Sequence, residues 1–203
     1  MKFLGLAIDE TLSWNQHIEQ VLNKMCNACY ALMNIKRIVQ IDMLRVTYFA
    51  HIHSVISYGI IFWGSSSCAN KLFIFQKKII RIITNTRSRD SCWEVFKTME
   101  IMTYSQYIYP LVLYTINNKH LFYTNNEIHI YKTRNLHRPI ANLSEFNKGA
   151  YISGIKVFNH LLQYIKALTN DHKYFKSTLK RFLYHHSFYS MNEYYEYKED
   201  RRI

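Results

Sequence analysis

Five aspartates stand singly along the chain: Asp9, Asp42, Asp90, Asp171 and Asp200. Two-metal nucleotidyl transfer needs paired carboxylates, because two Mg²⁺ ions clamp the attacking and leaving oxygens of the displacement. None of these aspartates adjoins another, so no such metal pair is expected and no catalytic residue is assigned. A glycine-rich loop to cradle phosphates is also missing, as is the Gly-x-Ser-x-Gly turn that presents a nucleophilic serine. Sequence order alone does not decide whether a Ser/His/Asp constellation assembles in space.

The soft ligands come next. Cys26-Asn27-Ala28-Cys29 has the spacing of a zinc half-site, with His51 and His53 within reach in sequence. A structural zinc site needs four convergent ligands. Two cysteines three apart on an apolar helix are ordinary core residues, and His51 and His53 point apart if their segment is helical. The expectation is therefore no metal and no cofactor. His185-His186 reads as a solvated helix end. With Cys68 and Cys92 the chain has four cysteines and no secretory leader pattern, which suggests reduced thiols in an intracellular, nuclear or cytoplasmic, non-secreted protein.

Basic residues give the clearest binding signal. The net charge is +12, a field that attracts polyanions. Between 70 and 85, Lys71, Lys77, Lys78 and Arg81 fall on an arc of roughly 120° at about 100° per residue. Arg87 and Arg89 extend that patch into a polar loop. Such a face can track a phosphate backbone, so nucleic acid is the expected partner. The plain alternative is a solvated helix face. Lys173, Lys176, Lys180 and Arg181 form a second, weaker candidate.

The elements that would position these residues follow from periodicity. Met1 to Asp9 reads as a buried strand with no upstream partner, which suggests the back end of a larger protein. Helices are predicted over 17–36 (apolar stripe Ile18, Val21, Leu22, Met25, Cys29, Leu32, Met33) and 41–56 (Ile41, Leu44, Tyr48, Ile52, Val55). A third runs over about 70–85 (Leu72, Phe75, Ile79, Ile82, Ile83). Shorter helices are predicted at 91–98, 103–118, 154–168 and 171–185. His129 to Ile140 reads as extended, since Pro139 disfavours helix at Arg138. The expected organisation is an N-terminal strand segment 1–12, a helical domain 13–118, a linker 119–150 and a C-terminal helical unit 151–203. No run approaches the ~18 apolar residues of a membrane span, so no membrane contact is expected. The fold class is mainly α, a helical bundle with a short N-terminal β-strand and a small helical C-terminal unit.

Several spaced motifs carry a family resemblance. Lys2-Phe3-Leu4-Gly5 is followed by Leu12-x-Trp14-x-x-His17-Ile18, then Tyr58-Gly59 with Trp63-Gly64, then Leu72-x-x-x-Gln76-Lys77-Lys78-x-x-Arg81. Phe96 to Tyr109, Thr133-Arg134 and Lys148-Gly149-x-Tyr151-x-x-Gly154-Ile155-Lys156-x-Phe158-Asn159 come next. Phe175-Lys176, Leu179-Lys180-x-Phe182-Leu183 and Phe188-Tyr189-Ser190 close the series. Their order and spacing resemble the C-terminal portion of a jockey-like non-LTR retrotransposon reverse transcriptase.

That resemblance implies that Phe3, Leu4 and Gly5 correspond to a primer-grip-like end of the palm. It implies that the helices to about 118 are a thumb gripping template–primer RNA/DNA, and that the rest is a C-terminal extension. The parent reaction is RNA-directed DNA synthesis. The catalytic palm would be a missing partner domain, Mg²⁺ would belong to that palm alone, and this chain by itself would be inactive. Leu162 departs from the family pattern, which has Pro after Phe-Asn-x-Leu, and puts a helix start near 161 in question. Two other classes stay open, a transposon remnant without function and a stand-alone helical protein-interaction module.

Overall fold

The computed structural model describes residues 1–103, 105–128, 135–140 and 142–197. Thr133, Arg134, Asp200 and the first half of the expected extended stretch lie outside them. The described chain is mainly helical, with one two-stranded antiparallel sheet. It divides into two compact units, Met1–Ile101 and Met102–Ile203.

In the first unit, the opening run is a hairpin rather than one strand. β1 (Lys2–Phe3) pairs with β2 (Leu6–Ala7), with Lys2 opposite Ala7 and Phe3 opposite Leu6. The turn places Leu4 at φ 45° and Gly5 at φ 77°. Two positive φ values in a two-residue loop are what a tight hairpin turn needs, and Gly supplies one at no steric cost. The partner expected from elsewhere is thus the chain itself, and only Leu6 and Ala7 are buried.

α1 (Asn15–Ile35) buries Ile18, Val21, Met25, Cys29 and Leu32. Their three- and four-residue spacing makes one stripe, which packs on α5 (Ala69–Thr84). Met33, expected in the stripe, is 51 % exposed, and Cys26 is exposed while Cys29 is buried.

α2 (Ile41–Tyr48) continues through a π-helical turn, Phe49–His53, into α3 (Ser54–Ser57). The buried residues are Leu44, Tyr48, Ile52 and Ile56, not Ile41 or Val55. In an uninterrupted α-helix a row spaced by four drifts about 40° per step, which would bring Val55 inward. The π turn absorbs one residue without that drift, so Ile56 takes the inward position. α4 (Ile60–Trp63) is a single turn entered through Gly59 at φ 62°.

On α5 the buried residues are Ala69, Leu72, Phe73, Gln76, Ile79, Ile80 and Ile83, while Phe75 and Ile82 are half-buried. The face is therefore rotated from the expected one, because buried Gln76 takes an inward position. Its Nε2 donates to the Tyr48 hydroxyl at 2.7 Å. α6 (Trp93–Thr98) closes the unit. Arg45 clamps the chain just beyond it, with Nε donating to Met99 O at 2.7 Å and an ion pair to Glu100 at 3.2 Å.

The second unit begins earlier than the expected boundary at 118, because α7 (Ser105–Asn117) packs on α10 (Ala150–His160) and α12 (His172–His186). The segment expected as linker contributes core residues, Phe122 and Leu136. Its helices α8 (Asn125–Ile128) and α9 (Ser144–Lys148) are too short to show a periodicity. The stretch after α10 breaks at Leu161–Leu162 before α11 (Gln163–Ala167), and Asp171 caps α12. α13 (Met191–Glu196) ends the described part. No helix of the described residues is long and apolar enough to cross a membrane.

Candidate nucleic-acid interface

The basic arc of α5 faces away from its buried stripe. Lys71 and Lys78 are exposed, as are Arg87 and Arg89 beyond the helix. These four carry charge at the surface. Lys77 and Arg81 are half-buried and engaged by the protein. The Lys77 ammonium lies 4.7 Å from the centre of the Phe73 ring, a cation–π contact. Arg81 Nη2 donates to the carbonyl of Asp90 at 3.0 Å, and its Nε is enclosed without an acceptor among the described residues. Arg81 thus ties down the loop that carries Arg87 and Arg89. Burial pushes the Cys92 thiol up from its ordinary range, while the charges of Arg81 and Lys77 pull the other way. Lys78 acts similarly on Cys29, whose thiol is raised chiefly by burial.

Phe3, Leu4 and Gly5 form the hairpin tip, and Trp14, His17, Tyr58, Gly59 and Trp63 of its motif series gather around it. The Tyr58 hydroxyl donates to Leu4 O, and Trp63 Nε1 donates to Tyr58 O at 3.1 Å. A Cβ on Gly59 would lie 2.8 Å from Leu6 Cδ2, so only glycine fits there without a shift. The buried His17 ring sits 6.2 Å from that of Trp14 and 5.8 Å from that of Trp63. The Ser66 hydroxyl donates to Ser13 O at 2.8 Å, so the chain enters α5 beside this corner, and Lys71 is in the first turn of that helix. Phe3 and Leu4 are 55 % and 73 % exposed, and Tyr58 is exposed beside them.

The described aspartates serve the fold. Asp9 accepts from Ser13 N at 2.7 Å and Ser13 Oγ at 2.6 Å, which holds its carboxyl below the usual carboxylate range. Asp171 caps α12 through Lys173 N and Tyr174 N. Asp42 stands in the first turn of α2, and Asp90 lends its carbonyl to Arg81. Among the described residues no three His, Cys, Asp or Glu side chains converge as metal ligands would.

His186 departs from the expected solvated helix end. Its ring packs against Phe182, Phe188 and Tyr197, with centroids 4.6, 5.5 and 4.4 Å away. Lys173, Lys176, Lys180 and Arg181 are exposed on α12. Sequence reading missed Lys166, which is buried. A lysine one residue after an isoleucine in a short helix carries no signal that separates it from a surface lysine.

No protein-family profile, no curated protein and no solved structure matches this chain.

Proposed function

We infer that this chain grips nucleic acid, as the palm end, thumb and C-terminal extension of a jockey-like non-LTR retrotransposon reverse transcriptase would hold template–primer duplex. The observation that carries the reading is α5. One face is buried, and the other sends Lys71 and Lys78 into solvent, with Arg87 and Arg89 exposed in the loop beyond the helix. The segment that leads into α5 bonds through Ser66 to Ser13 beside the corner where Trp14, His17, Tyr58 and Trp63, all of the resemblance, lie together.

The action proposed is electrostatic. Exposed lysines and arginines displace counterions from phosphates, so binding is insensitive to sequence and falls steeply with salt. Arg81 acts by holding the 87–90 loop in place. The catalytic step and its magnesium would belong to the palm. The exposed tip Phe3-Leu4 and Tyr58 is the surface which that palm would cover, inside the cell.

Fluorescence anisotropy with a labelled RNA–DNA hybrid over a salt series tests this. The variant with Lys71, Lys78, Arg87 and Arg89 all changed to Ala should bind more weakly on every sequence. Its log–log salt slope should flatten by about 0.7–0.9 for each phosphate no longer neutralised. Unchanged affinity and slope in a folded variant would overturn the assignment.

A further inference from the structure

The second unit encloses a cavity of about 390 Å³ that the nucleic-acid reading does not use. This is within the usual size range of small-molecule sites. Ile116, Phe122, Leu136 and Phe158 supply apolar wall, Lys166 supplies a buried cation and Lys119 an exposed one. Lys166 is only 3 % exposed.

The environment of that cation is incomplete. Its Nζ donates to Asn159 O at 2.6 Å and to Asn135 Oδ1 at 3.0 Å. An ammonium has three donors, so one makes no hydrogen bond among the described residues, with the centre of the Phe158 ring 5.9 Å from the nitrogen. Among the described residues no carboxylate lies within ion-pair distance of it. A buried charge without a counter-charge is costly, and burial lowers the pKa of this amine from its ordinary value. Glu127 also lines the cavity, but its Oε2 accepts from Thr124 N at 2.5 Å and Thr124 Oγ1 at 2.9 Å.

The rest of the lining decides the class of anion. Its three threonine hydroxyls are already committed as donors: Thr115 to Leu111 O at 2.9 Å, Thr124 to Glu127, and Thr169 to Lys166 O at 3.0 Å. A phosphate dianion needs several convergent donors, and the other donor side chains of the lining, Lys119 and Asn126, are exposed rather than buried beside Lys166. One buried cation facing apolar wall suits a single carboxylate on an apolar body.

We propose that this cavity binds a small amphipathic monocarboxylate, its carboxylate on the free donor of Lys166 and its apolar body against Ile116, Phe122 and Phe158. The site is independent of the basic face of α5.

Octanoate, with octanamide as its uncharged counterpart, tests this by calorimetry and by amide NMR shifts on the full chain. Octanoate should bind saturably and shift residues within 115–169, and octanamide should bind more than about tenfold more weakly. Lys166→Met should cause a similar loss. Thr169→Phe, which fills the half-buried edge of the cavity and leaves Lys166 in place, should abolish binding while the fold is retained. This second variant carries the test if Lys166→Met does not fold. Equal affinity for octanamide, displacement of octanoate by inorganic phosphate, or no saturable binding at millimolar octanoate would each overturn the proposal. So would undiminished binding by folded Thr169→Phe.

Discussion

His17 Nδ1 accepts the backbone N–H of Ala7 at 3.4 Å, which ties the hairpin to the first turn of α1. Its Nε2 is enclosed without a partner among the described residues, with the Trp14 and Trp63 rings beside it. An accepting Nδ1 places the proton on Nε2, so a second proton would have to displace the Ala7 bond. Burial, with the Lys24 charge adding to it, holds the imidazole below its ordinary pKa of 6.5. The unfolded chain then binds more protons than the folded one below about pH 6.5, and stability falls as pH drops from there toward the folded-state pKa. Urea unfolding at neutral and mildly acidic pH should show this loss. His17→Gln should reduce the pH dependence, and an unchanged profile in that variant would remove His17 as its source.

Gly59 and Gly5 both have positive φ, but their surroundings differ. A Cβ at Gly5 would meet the Tyr58 ring at 3.6 Å, an ordinary contact, whereas at Gly59 it would meet Leu6 at 2.8 Å. Gly5→Ala should cost about 1 kcal/mol from backbone strain alone. Gly59→Ala should cost about 1–3 kcal/mol more, because the packed Leu6 must move. Denaturant midpoints of the two variants check the order.

Arg81 and Lys78 separate structure from binding on one helix. Arg81→Ala should lower stability by about 1 kcal/mol, through loss of the bond to Asp90 O. Lys78→Ala should leave stability within about 0.5 kcal/mol. The proposed interface predicts that Lys78→Ala nevertheless weakens duplex binding. Paired unfolding and anisotropy measurements would show whether the two effects part in this way.

A Cβ on Gly154 would lie 2.4 Å from Thr115 Oγ1, so α10 approaches α7 through a missing side chain. Gly154→Ala should destabilise by about 1–3 kcal/mol. In a Thr115→Ala background the clash is gone. A double-mutant cycle should then show coupling of at least about 0.5 kcal/mol. Strict additivity would mean that the helices relax apart instead.

Leu162 has φ −60° and ψ 145°, and Leu161 before it is extended at ψ 144°. Both conformations suit an X–Pro pair. Leu162→Pro should be tolerated, with a gain of up to about 1 kcal/mol from the stiffer unfolded chain. A cooperative but lower melting temperature would show that the half-buried Leu162 side chain matters more than the backbone.

The long helices are legible in the sequence because each buries a stripe several turns long. The α1 stripe from Ile18 to Leu32 emerges from spacing alone. Periodicity misleads where a tertiary partner overrides the pattern. Gln76 is polar yet buried, because Tyr48 across the interface satisfies it, and this rotates the apparent face of α5. The opening hairpin reads as one strand because two-residue strands show no alternation, and Leu4 is not a residue that announces a positive-φ turn. The arc of Lys71 and Lys78 places them at the surface, but nothing local marks Arg81 as a loop anchor. The Lys166 cavity is illegible for a similar reason. It is assembled from α7, α8, α10 and α11 together with residues between them and beyond, Phe122, Leu136 and Thr169 among them, and none of these segments holds more than a fragment of it.

The π turn at Phe49–His53 bears on how this chain should be aligned with others. One residue there adds length without advancing the buried face. Its loss would leave a continuous α-helix with Leu44, Tyr48 and Ile56 still facing inward. A homologue one residue shorter at this point would therefore keep the same core. The gap belongs inside the helix, within 49–53, rather than in the loops where gaps are usually placed.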